Sequence, residues 1–334
     1  MTSTNSGSNS STTHPFTQTV DQVAAGILRV MNGWAHAAGS GVGLIGDFLA
    51  GILISFGKLL GGISGVGKTI QGFFNWLGSI ISAGFEFVNL LISCAISLVA
   101  HAISGMLCIL GGAISSIIAR DGYLLKKGIL DFLSPIAGSL IALFLKGVAL
   151  IQSVIFMQLG ERPLNDHEKE TIRRVYRNSL AFGDIRVIEG FVGLFSKNDR
   201  PFTLGDRIYL KHVDTARDPG LFAHECCHAW QYQRYGARYV AEALWAQFFV
   251  PDAYNWEKEI GRGKTHWQDF NREAQAQFIQ NSFDGGRKVP PEHVPGEFYG
   301  DDPVGQNVEY KHKNVDYTDL AKQTIAFVRS KGRS

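Results

Sequence analysis

Charge is divided unevenly along this chain of 334 residues, and that division constrains the fold more than any motif does. Residues 1–156 carry 12 of the 62 charged side chains, residues 157–334 carry the other 50, and 23 of the 38 glycines fall in the first part. Between Glu86 and Arg120 lie 33 consecutive residues without Asp, Glu, Lys or Arg. A helix needs about 20 such residues to cross a bilayer, whereas an apolar run of about 10–14 suits a buried core helix. Residues 17–156 also hold a single proline, Pro135, which favours helices over strands and turns. Glycines at packing intervals, such as Gly61-x-x-x-Gly65, let helices approach closely in lipid. The expectation is a glycine-rich, apolar helical region over 17–156 that inserts into membranes. Asp47, Lys58, Lys68, Glu86 and Lys146 interrupt it, a pattern suited to a segment soluble in one setting and inserted in another.

Ahead of it, residues 1–16 read as a disordered polar leader. Residues 2–14 lack Lys and Arg, so the charged start of a Sec signal peptide is missing, and any export is expected to use another route. A net charge of +2 leaves no electrostatic footprint for nucleic acid. The four cysteines are too few for a disulfide framework in a chain this long, and each is expected to pack as a small hydrophobe. Gly62-Ile63-Ser64-Gly65-Val66-Gly67-Lys68-Thr69 fits the phosphate-loop pattern letter for letter. That loop must follow a buried strand, and the residues before it are glycine-broken, so no nucleotide partner is expected.

The chemistry lies in the charged half. His224-Glu225-Cys226-Cys227-His228 is an H-E-x-x-H sequence. Residues i and i+4 share one helix face, so two imidazoles can converge on one ion. Glu225 then stands beside the metal as the base that deprotonates a bound water. Asp218 as N-cap, Pro219 at the first position and Gly236 as the stop predict a helix over Pro219–Tyr235. A peptidase zinc needs a third protein ligand. Glu273, in the first turn of a helix expected from Asp269 to about Gly285, is the leading choice, with Glu257, Glu259, His266 and Asp269 as rivals. Tyr254, His266 and His212 are candidates to stabilise an oxyanion.

Glu161-Arg162-Pro163-Leu164, then Gly205-Asp206-Arg207-Ile208-Tyr209, then His224-Glu225-x-x-His228-x-Trp230-Gln231, and Asn271-Arg272-Glu273-Ala274-Gln275-Ala276 follow one another in order. Over roughly 157–285 this resembles the zincin-type metallopeptidase domains associated with bacterial contractile injection systems, including those labelled Vgr-related. The resemblance implies an α+β zincin-like domain with a His2Glu zinc site formed by His224, His228 and Glu273. It departs from the pattern at Cys226-Cys227, where relatives usually carry aliphatic or small polar residues.

The fold expected is mostly α: the membrane-type helical region, the zincin-like domain at 157–285, and an extended segment at 286–334 with a short helix around Tyr317–Arg329. The function expected is zinc-dependent hydrolysis of a protein or peptide substrate by a membrane-associated bacterial effector or toxin, with a secretion chaperone as a further partner. The competing expectation is a membrane-anchored binding or structural protein whose zinc domain does not cleave.

Overall fold

The computed structural model describes residues 15–62, 66–118, 122–154, 161–190, 192–197, 199–288 and 308–330. The expected leader up to residue 14, residues 63–65 of the phosphate-loop match and the Pro290–Asp302 part of the extended segment lie outside them.

The molecule is mostly helical, and three long helices make up its first half: α1 (Pro15–Gly61), α2 (Gly67–Ile118) and α3 (Tyr123–Val154). Helix α1 begins at Pro15, so the last two positions of the expected leader are helical instead. Proline is tolerated at a first helical position because its missing N–H has no intrahelical partner there. The helices fold back on one another as antiparallel hairpins. A Cβ on Gly57 would lie 2.6 Å from Phe74 Cβ and one on Gly46 would lie 2.4 Å from Phe85 Cβ, while Thr17 Oγ1 and Ser115 Oγ are hydrogen-bonded at 2.8 Å. Between α2 and α3 the backbones themselves meet, since a Cβ on Gly128 would stand 2.7 Å from Ile109 N and 2.8 Å from Gly105 O. Glycine is used where helices approach too closely for any side chain.

All three helices are long and apolar enough to cross a membrane. They leave large hydrophobic side chains in the open, among them Ile117 at 83%, Leu59 at 75% and Phe144 at 70% exposure. One face of α2 is different. Ser82, Glu86, Asn89, Ser93, Ser97 and His101 recur at helical spacing, and that polar stripe turns toward the second half of the chain.

The second half is built around a four-stranded sheet in the order β1 (Glu161–Pro163), β2 (Arg186–Glu189), β4 (Arg207–Lys211), β3 (Phe202–Leu204). Strands β2 and β4 are parallel, and β3 runs antiparallel to β4 with Thr203 opposite Ile208. Helices α4 (Asp166–Tyr176), α5 (Pro219–Tyr235), α6 (Ala237–Phe249), α7 (Trp256–Gly261) and α8 (Arg272–Gly285) surround it. The chain then adds short strands β5 (Arg287–Lys288), β6 (Val308–Glu309), β7 (Lys311–His312) and β8 (Val315–Asp316) before helix α9 (Thr318–Ser330). The expected short C-terminal helix is present as α9, and the described residues from 308 onward join the core. Val308, Tyr310, Ala321, Ile325 and Val328 are buried in the same core as Trp230 of α5 and Phe278 of α8. The reason is that Ala321, Thr324, Ile325 and Val328 share one apolar face of α9, which covers that core.

The two halves meet through ion pairs. Arg186 of β2 bonds Asp47 of α1. Arg207 of β4 pairs with Glu86 of α2 and with Glu161 of β1 at 3.0 Å, and donates to Ser82 Oγ at 3.0 Å. Lys146 of α3 reaches Glu86 at 2.6 Å. Farther along, Arg238 of α6 meets Asp131 of α3 at 2.6 Å. Two of the five charges that interrupt the apolar half in sequence, Asp47 and Glu86, are therefore matched by this contact, and Lys146 pairs with Glu86 inside the helical half.

Replacing Gly128 by Val is expected to destabilise the protein by about 2 kcal/mol through the overpacked α2–α3 crossing, more than the few tenths that removing a helical glycine returns. Chemical denaturation monitored by circular dichroism measures it.

Candidate metal centre

Helix α5 carries the H-E-x-x-H residues in its first half. Pro219 occupies the first turn and Gly236, at φ 60°, ends the helix. Asp218 stands at the N-cap position, but its side chain makes no capping hydrogen bond; its backbone carbonyl instead accepts from Phe222 N at 3.1 Å. Helix α8 begins three residues later than the sequence suggests, at Arg272, because Asn271 supplies the cap by accepting from Ala274 N at 3.0 Å. Asp269 belongs to a separate 3-10 turn. Glu273 consequently sits in the first turn of α8, where the free N–H groups and helix dipole favour a carboxylate.

The fold brings His224, His228 and Glu273 together, all three buried, with one potential ligand atom from each within 4.8 Å of the others. Glu273 Oε2 lies 3.8 Å from His224 Nε2 and 3.4 Å from His228 Nε2. Metal–ligand bonds of about 2.0–2.1 Å in a tetrahedral site separate ligand atoms by about 3.3 Å, so these gaps admit an ion after small adjustments. The imidazole planes are turned 81° to each other with ring centroids 4.9 Å apart, so the rings meet edge to face and are not stacked.

The tautomer of His228 follows from its surroundings. Gln275 Nε2 donates to the backbone carbonyls of Gln268 and Phe270, both at 3.1 Å, leaving Gln275 Oε1 as an acceptor. Gln231 Nε2 donates to that oxygen at 2.8 Å and to Arg272 O at 3.1 Å. Gln231 therefore presents its own oxygen to His228 Nδ1, 2.9 Å away. His228 Nδ1 thus carries a proton, and Nε2 is the nitrogen that faces Glu273. An outer partner that fixes a ligand's tautomer is a regular part of a metal site. Burial alone would push the His228 imidazole down, but the Glu273 carboxylate and further hydrogen bonds lift it to about 9. The same pairing holds Glu273 well below the usual carboxylate range, against the effect of its burial. The arrangement is one that favours a positive charge between the three groups. His224 Nδ1 is buried without a hydrogen-bond partner among the described residues.

Glu225 is held from the sheet. Thr203 of edge strand β3 donates to Glu225 Oε2 at 2.7 Å, and its hydroxyl also lies 3.0 Å from Glu225 O. Tyr254 stacks near His224, with centroids 6.1 Å apart and planes at 21°, and its hydroxyl is pushed up to about 12, first by burial and then by the nearby Glu273 carboxylate. The Arg200 guanidinium lies over the Tyr254 ring at 5.4 Å. Of the three oxyanion candidates, Tyr254 reaches the metal residues. His212 is exposed, and His266 is engaged with Thr265 and Asp269.

The rival third ligands are occupied elsewhere. Glu257 faces His312 and Lys313, Glu259 binds Arg262 and Lys264 and accepts from Asn271 N at 3.1 Å, and Asp269 lies 3.7 Å from His266. Cys226 and Cys227 are free and buried in the core, with burial pushing both thiols up.

Sequence reasoning missed Thr203, the role of Gln231 and the support behind α8. Gln231 was detectable, since it follows His228 at a spacing that shares its helix face; nothing in the sequence marks Thr203. Behind the site an ion-pair chain runs from Arg272, beside Glu273, to Glu242 at 2.7 Å, then to Arg238 at 2.6 Å and Asp131 at 2.6 Å. Asp131 is joined in turn to Lys127 at 2.9 Å, and Lys127 to Asp21 at 3.0 Å. Comparison with known proteins finds no match to a family model, a curated protein or a solved structure.

Replacing Gln231 by Leu frees the His228 tautomer and is expected to weaken binding of a divalent transition metal by roughly 10–100-fold. Competition against a chromogenic chelator reads this directly, and an unchanged affinity would remove Gln231 from the site.

Proposed function

We propose that the chain is a zinc-dependent peptidase carried by a membrane-entering helical unit, acting as a bacterial effector or toxin. The convergence of His224, His228 and Glu273 beside Glu225 carries this reading. Two imidazoles and one carboxylate are the ligand set of a catalytic zinc site that keeps a position open for water. The resemblance of residues 157–285 to zincin-type domains of contractile injection systems agrees with it, and is the basis for the effector assignment.

Bound zinc would supply the acidity that makes water a nucleophile near neutral pH and would polarise the substrate carbonyl. The remaining work falls to the chain. Glu225 takes the proton of the attacking water and passes it to the leaving amine nitrogen. The Thr203 hydroxyl, bonded to Glu225 Oε2, keeps that carboxylate oriented during both transfers. The Tyr254 hydroxyl, whose ring lies beside His224, is the group offered to donate to the oxyanion. Strand β3 is the sheet edge nearest this machinery and pairs only with β4 among the described residues, so its other edge can receive an extended peptide as an added strand.

The three apolar helices supply the membrane partner. Side chains as large as Phe48, Leu59 and Phe144 standing more than two-thirds exposed form a surface that water disfavours at about 25 cal/mol per Å². Lipid is its final cover, and a secretion chaperone would shield it in transit.

Glu225→Gln separates this reading from a non-catalytic zinc protein. The full chain, loaded with zinc and given a mixed peptide library, is expected to yield cleavage products by mass spectrometry. The variant should keep its zinc and lose at least about 100-fold in rate. Stoichiometric zinc in the wild-type protein without turnover would favour the binding or structural alternative.

A further inference from the structure

The contact between the two halves is rich in polar and charged groups. A cleft runs along it, lined by Asp47, Glu86, Asn89 and Ser93 on one side and by Asp206 and Gln233 on the other. Around the cleft stand the Arg186–Asp47 and Arg207–Glu86 pairs. Apolar packing joins the halves at two places: at α6, where Tyr239, Val240 and Ala243 meet Leu90, Cys94 and Ala142, and at Leu145 of α3, which packs on the sheet beside Ile188, Leu204 and Tyr209. An interface of this kind, rich in charge and open to water, resembles contacts between separable units more than a domain core.

Its position matters for lipid. The contacts take up much of the helices: from Ala35 to Asp47 on α1, from Ser82 to Ser97 on α2, and from Asp131 to Gln152 on α3. At one end only residues 48–61 and 67–81 extend past them, and at the other only 102–118 and 123–130. Each stretch is shorter than the about 20 residues a crossing requires. The remaining free stretch, the start of α1, carries Asp21 and Arg29. A bilayer across these helices would therefore have to contain part of the charged second half. Burying such a domain in hydrocarbon is prohibitive, because every unpaired charge and loop carbonyl would lose water.

Resting on the membrane reading above, we propose that the polar face of α1–α3 is a releasable docking surface. The second half covers it in water through Arg186, Arg207 and Arg238, and leaves it when the helices cross a bilayer. The docked form is the aqueous state of the protein. In lipid the stripe from Ser82 to His101 lies inside the helical unit, where Glu86 and Lys146 remain paired with each other.

The test uses the full chain with Ser93→Cys and Gln233→Cys, whose positions face each other across the cleft, joined by a cleavable bis-maleimide linker; the four native cysteines are buried. With vesicles of phosphatidylcholine and phosphatidylglycerol, the unlinked protein is expected to float with the lipid. The linked protein should do so at least tenfold less, and cleaving the linker should restore it. Equal flotation of the linked protein overturns the proposal. Failure of the wild-type protein to float at all overturns the membrane reading itself, and with it this proposal. Hydrogen exchange on the wild-type protein decides independently if the linked variant does not fold: α6 and β4 amides should lose protection on vesicle binding, and retained protection contradicts release.

Discussion

Everything chemical in this protein depends on one helical turn of α5. The backbone period sets His224 and His228 on one face, but the turn alone would leave two imidazoles waiting for a partner. The third group comes from 45 residues away by a side-chain relay, in which Gln231 bonds both Arg272 O and Gln275 and so registers α8 against α5. Glu273 is adjacent to that anchoring carbonyl. Losing the relay would leave a buried carboxylate and buried amides unpaired, at a cost of about 1–3 kcal/mol for each orphaned group.

The same economy links site and apolar helices. Arg272 is anchored by Glu242, Glu242 by Arg238, and Arg238 by Asp131 of α3. Asp131 is fully buried, so removing Arg238 would leave a charge without its main cross-domain partner; breaking buried pairs in this way typically costs about 3–5 kcal/mol. A helix that looks from its composition like a lipid segment thus also buttresses the first turn of the helix bearing Glu273. The two halves are joined by chemistry as well as by sequence.

Much of this was legible in the residues. The bounds of α5 followed from Pro219 and Gly236, and the choice of Glu273 followed from its place in a first turn. The helical character of 17–156 followed from its single proline and apolar content. What escaped has physical reasons. Asp218 looked like a cap, yet capping depends on a side-chain rotamer that sequence does not specify. Asn271 took over the role at α8 and shortened that helix. The polar stripe on α2 was present in the letters at intervals of three and four, but a search for uncharged runs passes over Ser, Asn and His. Asp47 and Glu86 read as interruptions because their partners, Arg186 and Arg207, lie far along the chain, and Lys146 because it pairs with Glu86 on another helix. The C-terminal helix was expected around Tyr317–Arg329, but only the folded core reveals that Ala321, Ile325 and Val328 complete it.

X-ray absorption at the metal edge of the purified full chain tests the central claim most directly. Two imidazole nitrogens and a carboxylate oxygen at about 2.0–2.1 Å around zinc are the predicted shell. Sulfur scattering at about 2.3 Å, which would assign the ion to Cys226 or Cys227, or a protein that takes up no zinc at all, would contradict the account.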